Sequence, residues 1–341
     1  MPPRPDSPTH RSADYNAGHP ASLAIAPDLP LPEPVPFQDP VEFTPGPDLT
    51  PAEVAHFKRE GFIVKRGLID HADAFEQVID HIWSNVPRNL MRREDAASWI
   101  DPPEDEWTEE DSLRVGLLMS NNWKMRSPGA GGIGTEPFLV QSIATHPRMM
   151  QVVEALIGGT AEPVRRVRGI YCVFPSAPGV PGRYRPHADY MAAHLAAMVL
   201  ADDIGPRCGG FMLWPRSHSR LSPYWQTVHG SKMASEQAEP FLRAREAVIK
   251  DTTPVEFTGS RGDVVLWHPR ALHSAGLNHS AESDRPMVRV IIPCDYQRAG
   301  RAYYDDDAFG PGARYQWWID TRNFSGDSAP STDNMWDDWG L

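Results

Sequence analysis

A histidine and an aspartate two residues apart, His187 and Asp189, are the residues whose types and spacing suit a metal site. In an extended strand the side chains of residues i and i+2 leave the same face, so one ion can contact both. A third ligand from a distant segment, for which His273 is the candidate, would complete one face of an octahedron. Two neutral imidazoles and one carboxylate leave three adjacent positions open on iron(II). The pattern therefore predicts a non-haem iron centre that binds further reactants directly.

The tripeptide His-Ala-Asp occurs twice, and the surroundings distinguish the two copies. Apolar residues around the first copy, at 71–73, recur at helical spacing, with Asp70 as the expected cap. On a helix, residues i and i+2 point apart, so we expect this copy to lie on the surface. The second copy lies between two apolar runs, 166–174 and 194–201, that are typical of strands. Only the second copy is therefore expected to bind a metal.

His268 is a rival for the third ligand, five residues before His273. An odd separation along a strand places it on the opposite face, and Pro269 interrupts the strand between the two histidines. We therefore prefer His273.

Composition and charge exclude several classes of protein. The formal charge of -12 argues against nucleic acid or an anionic membrane as the main partner. No apolar run has membrane-spanning length and no apolar signal segment is seen at the N-terminus. The three cysteines lack metal-type spacing, which favours a reducing compartment, and we expect a cytoplasmic protein.

Proline content and local charge divide the chain into three parts. Residues 1–48 carry 13 of the 35 prolines, so we expect an arm that lies extended across the surface or is disordered. Residues 49–300 are expected to form the folded domain. Residues 301–341 are acidic and rich in tryptophan, and we expect this tail to dock on the domain.

Within the domain, helices are predicted first and short strands afterwards. Thr50 and Glu53 form a capping box for a helix that ends at Gly61, and a second helix is predicted over 136–157. The segment 84–135 is irregular and is expected to act as a lid over a pocket. Strands are predicted at 62–65, 166–174, 194–201, 210–214, 253–257, 262–268 and 287–294, with helical inserts in 220–248. This pattern favours a mainly β protein with flanking helices, a sandwich or jelly roll.

Several segments in order along the chain resemble one family of enzymes. They are Phe57–Val64, Pro186–Asp189, Cys208–His218, Gly262–Trp267, His273–Asn278 and Arg289. Together, residues from about 52 to 296 resemble the phytanoyl-CoA dioxygenase family of iron(II)- and 2-oxoglutarate-dependent oxygenases. The resemblance implies a double-stranded β-helix (a cupin-like jelly roll) with His187, Asp189 and His273 as catalytic metal ligands.

The same resemblance implies the chemistry and the co-substrates. 2-Oxoglutarate would occupy two of the open iron positions and O2 the third, with release of succinate and CO2 and oxidation of a C–H bond. The carboxylate of Asp189 favours hydroxylation or desaturation over halogenation, because related halogenases carry a small residue there. Four further residues are expected by resemblance to line the co-substrate pocket: Tyr171, Arg168, His194 and Asn278.

The far carboxylate of 2-oxoglutarate requires a buried cation, preferably a guanidinium that can pair with both oxygens. Arg285 lies 12 residues after His273, nearer the separation that is usual in the family, but within a sequence typical of a loop. Arg289 lies in the apolar run Val288–Ile292, where the family places its arginine. We therefore choose Arg289 over Arg285.

The leading hypothesis is a 2-oxoglutarate-dependent dioxygenase that hydroxylates or desaturates a small organic substrate, for instance in secondary metabolism. A secondary-metabolite scaffold or a modified amino acid is the expected substrate, with a fatty acyl-CoA as the runner-up. Two alternatives stay open: a cupin-type metalloenzyme that does not use 2-oxoglutarate, and an inactive jelly-roll binding module. The sequence leaves the oligomeric state open, with a homodimer as one option.

Overall fold

The computed structural model describes residues 21, 23–87, 91–119, 121–126, 133–189, 194–227 and 238–299. Their strands are β1 (Val35–Pro36), β2 (Phe62–Lys65), β3 (Leu117–Met119), β4 (Asn122–Met125), β5 (Ile170–Val173), β6 (Leu195–Leu200), β7 (Phe211–Leu213), β8 (Val255–Phe257), β9 (Val264–Trp267), β10 (His273–Ala275) and β11 (Arg289–Tyr296). The α-helices are α1 (Pro51–Glu60), α2 (Ala72–Asn85), α3 (Glu109–Val115), α4 (Pro137–Leu139), α5 (Pro147–Ile157), α6 (Ser217–Leu221) and α7 (Glu239–Asp251). A π-turn follows α4 at Val140–Ala144, and short 3-10 turns lie at Ala96–Trp99, Glu104–Glu106, Ser222–Thr227 and Ser280–Glu282.

Two sheets pack face to face, as a jelly roll requires. The major sheet has the strand order β2-β9-β6-β11-β5-β4-β3, and the minor sheet has the order β1-β8-β7-β10. Every pairing is antiparallel except that of β1 with β8. This architecture confirms the predicted mainly β jelly roll with flanking helices.

Strand β6 shows how the sequence separates the interior of the jelly roll from its outer layer. Leu195, Ala197 and Val199 join the apolar cluster beneath α2 and α5, whereas alternate residues such as Met198 point between the two sheets. Strand β11 divides in the same way, with Ile292 on the helix side. Because side chains alternate along a strand, Arg289, two residues before the inward-facing Ile291, also points between the sheets.

The capping residues predicted for α1 are confirmed, whereas the cap predicted for α2 was wrong. Thr50 and Glu53 form the complete capping box of α1, which ends at Gly61 in a left-handed conformation. The cap of α2 is His71, not Asp70, because the His71 ring accepts the Ala74 amide. Asp70 instead pairs with Arg148 on α5. The first His-Ala-Asp copy thus lies exposed at a helix end, as predicted.

Two predicted segments differ from the structure. The described part of 84–135, expected to be a lid, supplies strands β3 and β4 at one edge of the major sheet. Its alternation of polar and apolar residues, as in Asn122–Met125, is a strand signal that the sequence interpretation missed. The helix predicted over 136–157 is interrupted before Pro147, which begins a separate helix α5.

The proline-rich arm packs on the minor sheet from Leu23 onward. Its strand β1 pairs with β8, and Arg183 holds the arm through the carbonyls of Ala26 and Leu29. Residues 1–20 and the tail at 301–341 lie outside the described residues. The docking of this tail on the domain remains a prediction. Among the helices described, none is long and apolar enough to cross a membrane.

Candidate metal centre

The two candidate histidines are brought together by an antiparallel bridge between their backbones. The His187 amide donates to the His273 carbonyl at 3.0 Å, and the His273 amide donates back at 2.8 Å. Directly opposed residues of such a pair project their side chains to the same face. The two ring centroids accordingly lie 4.4 Å apart.

Asp189 completes the cluster from two residues along the same segment. Its Oδ1 lies 4.0 Å from His187 Nε2 and 3.7 Å from His273 Nε2. One ligand atom from each of the three residues lies within 4.8 Å of the others, close enough to hold one metal ion. It is the only such group of three or more His, Cys, Asp or Glu side chains among the residues described. His268 is not in it, in line with the preference for His273.

Backbone carbonyls fix the orientation of both imidazoles. His187 Nδ1 lies 2.8 Å from the Arg185 carbonyl, and His273 Nδ1 lies 3.0 Å from the Ala271 carbonyl. Because a carbonyl can only accept, each Nδ1 carries a hydrogen, and each Nε2 is the ring nitrogen directed toward Asp189. Burial, reinforced by His187, lowers the pKa of His273 to about 3, so that ring is neutral. The protonation pattern is the one that a metal ligand requires.

The second oxygen of Asp189 faces a buried ion pair. Arg168 Nη1 donates to Asp189 Oδ2 at 2.6 Å, while Arg168 Nε and Nη2 donate to the two oxygens of Asp295 at 2.6 and 2.5 Å. Burial alone would raise the pKa of Asp189, but the charge of Arg168 and then the two histidines hold it well below its usual range. Asp189 is therefore ionised, with Oδ1 toward the histidines and Oδ2 toward Arg168.

Arg289 is a buried guanidinium for which no counter-charge is found among the described residues. It is 2% exposed, and its Nε and Nη1 have no hydrogen-bond partner in that part of the chain. Burial lowers its pKa to about 10, opposed only by Cys172. An unpaired buried cation is costly, so this side chain suits an anionic ligand. The rival Arg285 is exposed.

The distance between Arg289 and the cluster of His187, Asp189 and His273 suits a small dicarboxylate. A Cβ at Gly209 would lie 3.4 Å from Arg289 Cβ, whereas His273 pairs with Leu213, four residues further along the same segment. Gly209 precedes the strand Phe211–Leu213, and four residues span at most ~14 Å. An arginine side chain and a five-carbon dicarboxylate together cover a distance of this order.

The inner face of β4 and β5 adds further cations to the interior. Lys124 Nζ lies 5.5 Å from the ring centroid of Tyr171, and Arg126 donates to the Tyr171 hydroxyl at 3.3 Å. Tyr171 pairs with Ile291, so it lies on the same interior face as Arg289. Trp123, in contrast, faces the helix layer and is fully buried there.

The remaining predicted pocket residues make mainly structural contacts. His194 is buried and its Nδ1 accepts the Arg298 amide. The Asn278 amide donates to two backbone carbonyls, of Val173 and Met287, and its oxygen accepts the Ser280 amide. Asn278 therefore ties the loop before β11 to β5.

Sequence analysis missed two polar residues of this interior, Asp295 and Lys124. A signal was present for Asp295, because an acidic residue at an even separation from Arg289 in an apolar strand must share its inward face. Lys124 was hidden because β4 was not recognised as a strand.

The comparison with known families decides the classification. The family model "Phytanoyl-CoA dioxygenase (PhyH)" matches residues 57–287, well over half of the chain. The chain belongs to this family. The three clustered residues lie inside the matched region, and Arg289 lies just beyond its end. The predicted resemblance to the phytanoyl-CoA dioxygenase family is thereby confirmed.

Two solved structures illustrate what this chain is similar to. One is the non-heme alpha ketoglutarate dependent carbocyclase SnoK from nogalamycin biosynthesis, with 16% identity, a TM-score of 0.48, and coverage of 84% of this chain and 99% of SnoK. Another is EctD from S. alaskensis with 2-oxoglutarate and 5-hydroxyectoine, with 19% identity, a TM-score of 0.45, and coverage of 91% and 98%. Comparison with curated protein sequences found no significant match.

Proposed function

We propose that this protein is an iron(II)- and 2-oxoglutarate-dependent oxygenase that hydroxylates a small organic substrate. The observation that carries the proposal is the buried Arg289, without a counter-charge in the described chain, on the interior face of a jelly roll that also holds the cluster of His187, Asp189 and His273. A metalloenzyme that does not use a 2-oxo acid has no need of that guanidinium.

In this proposal His187 and His273 hold iron(II) through Nε2, and Asp189 holds it through Oδ1. Arg289 receives the far carboxylate of 2-oxoglutarate, with Tyr171 and Lys124 on the same interior face. When bound, iron(II), 2-oxoglutarate and O2 supply the oxidation of a C–H bond, with succinate and CO2 as co-products. The chain's own contribution is to orient these groups, with Asp189 and His273 buried and His187 partly exposed at the site's opening.

The charges of the site fit this set of ligands. Asp189, Asp295 and Arg168 together carry two negative charges and one positive charge, a sum of -1. Iron(II) changes the sum to +1, since neutral imidazoles add nothing, and Arg289 brings it to +2. A dicarboxylate co-substrate offsets this +2, while Lys124 and Arg126 on the β4–β5 face keep the interior net positive, which suits an anionic ligand.

Aromatic side chains pack against His273 from the interior side. The Phe211 and Trp267 rings lie 5.4 and 5.7 Å from the His273 ring, centroid to centroid. These contacts hold the imidazole in place and limit the access of water from that direction.

The proposal is tested by turnover with a panel of secondary metabolites, modified amino acids and acyl-CoA esters. We expect at least one compound to gain one oxygen atom with matching formation of succinate, and only when 2-oxoglutarate is present. Loss of two hydrogen atoms instead would indicate desaturation. Oxidation that proceeds equally well without a 2-oxo acid would refute the proposal.

A further inference from the structure

A buried ion pair lies directly behind the metal-facing carboxylate. Arg168, Asp189 and Asp295 are 8%, 5% and 7% exposed. Arg168 donates to Asp295 through Nε and Nη2 and to Asp189 through Nη1. The two oxygens of Asp189 are thereby given different environments, because Oδ2 accepts from Arg168 whereas Oδ1 lies within 4.0 Å of both imidazoles.

We propose that Arg168 and Asp295 are positioning residues that present Asp189 to the metal through Oδ1 only. The inference rests on the proposed iron site and adds residues that set its geometry. Neither residue touches the ion; both act through Asp189.

Asp295 is needed because a guanidinium readily pairs with both oxygens of one carboxylate. Without Asp295, Arg168 could clamp Asp189 through two N–H groups and compete with the metal for Oδ1. Asp295 occupies the Nε–Nη2 edge of the guanidinium and fixes its orientation, and in that orientation Nη1 donates to Asp189 Oδ2. Asp189 Oδ1 then points toward the two imidazoles, and a ligand that binds through one oxygen leaves three positions of an octahedral site open.

The backbone places Arg168 for this purpose. The Arg168 amide donates to the Pro293 carbonyl at 3.0 Å, two residues before Asp295 on β11. The next residue, Gly169, adopts a φ of +125°, and a Cβ there would come within 2.3 Å of the Met125 carbonyl oxygen. Only glycine tolerates this close approach. The chain therefore enters β5 along a fixed path that brings Arg168 between the two carboxylates.

The test is anaerobic calorimetric titration of the full chain with cobalt(II), a redox-stable probe for the iron site. Changes to residues that orient a metal ligand typically cost about 10–100-fold in affinity, and we expect such losses for Arg168→Gln and Asp295→Asn. Arg168→Lys should recover part of the affinity, since an ammonium group can donate to Asp189 but lacks the planar fork.

The double variant separates positioning from general stability. If Asp295 acts through Arg168, then Asp295→Asn should weaken cobalt(II) binding no further once Arg168→Gln is present. We also expect the visible cobalt(II) bands of the single variants to change shape, because Arg168 then no longer holds Asp189 in its present orientation. Circular dichroism identifies variants that do not fold. If Arg168→Gln does not fold, the double variant is made with Arg168→Lys and Asp295→Asn instead.

A matched control removes a buried ion pair elsewhere. Lys65 and Glu53 form a pair with both side chains 0% exposed, and Lys65→Met should lower thermal stability without changing cobalt(II) affinity. Additive losses in the double variant, or single variants that bind within twofold of the unmodified protein with unchanged bands, would overturn the inference. If the unmodified protein itself fails to bind cobalt(II), the proposed function fails first.

Discussion

Replacing Arg289 by methionine should raise the stability of the ligand-free protein and weaken 2-oxoglutarate binding. The guanidinium is buried, and its pKa is lowered from 12.5 to about 10. At 1.36 kcal/mol per pKa unit, burial disfavours the charged form by about 3 kcal/mol. Methionine fills similar space without a charge, so the unfolding free energy should rise by roughly 1–3 kcal/mol, or about 2–4 °C in Tm per kcal/mol.

The effect on binding has the opposite sign. Removing one partner of a buried charge pair costs about 2–5 kcal/mol, so we expect 2-oxoglutarate affinity to fall by about 30-fold or more. Thermal unfolding measured with and without iron(II) and 2-oxoglutarate reports both effects at once. The control is Arg285→Met, which alters an exposed side chain and should change neither quantity. A lower Tm with unchanged affinity in Arg289→Met would refute this reasoning, and a large loss in Arg285→Met would transfer the role to Arg285.

Three further changes test other parts of the site. Gly209→Ala introduces a methyl group at a residue with φ +84°, 3.4 Å from Arg289 Cβ. It should cost about 1–2 kcal/mol of stability and raise the 2-oxoglutarate concentration that the protein requires. An unchanged 2-oxoglutarate titration would contradict this expectation. Asn278→Ala leaves two backbone carbonyls and one backbone amide without their side-chain partner and should lower the unfolding free energy by roughly 2–4 kcal/mol. The folded variant should still bind 2-oxoglutarate. Abolished binding with normal stability would instead make Asn278 a co-substrate ligand. Removing the arm through residue 33 deletes the Ala21 carbonyl, which accepts a hydrogen bond of 3.2 Å from the amide of Ala188, the residue between His187 and Asp189. This truncation should weaken cobalt(II) binding by about fivefold, a loss of about 1 kcal/mol. Truncation at residue 20 keeps the hydrogen bond and serves as the control.

The sequence was sufficient for the parts of the site that depend on strand periodicity. His187 and Asp189 share a face because they are two residues apart, and Arg289 points inward because β11 alternates. The same rule dismissed the copy at 71–73, which lies on a helix end. These predictions need only local geometry, which the sequence specifies directly.

Other features depend on contacts between distant segments and could not be read from one stretch of chain. The bridge between His187 and His273 joins residues 86 positions apart, the difference between 273 and 187. The ion pair of Arg168 with Asp295 spans 127 positions. Arg168 was expected to line the co-substrate pocket, and only the fold shows that two carboxylates engage it. The cap of α2 was missed because a histidine ring took the place usually held by a short polar side chain.

The most direct measurement is the visible absorption of the protein after anaerobic addition of iron(II) and 2-oxoglutarate. A charge-transfer band should appear in the unmodified protein, disappear in His187→Ala and persist in His71→Ala, which alters the other His-Ala-Asp copy. No band in the unmodified protein, or a band that survives His187→Ala, would contradict the account of this site.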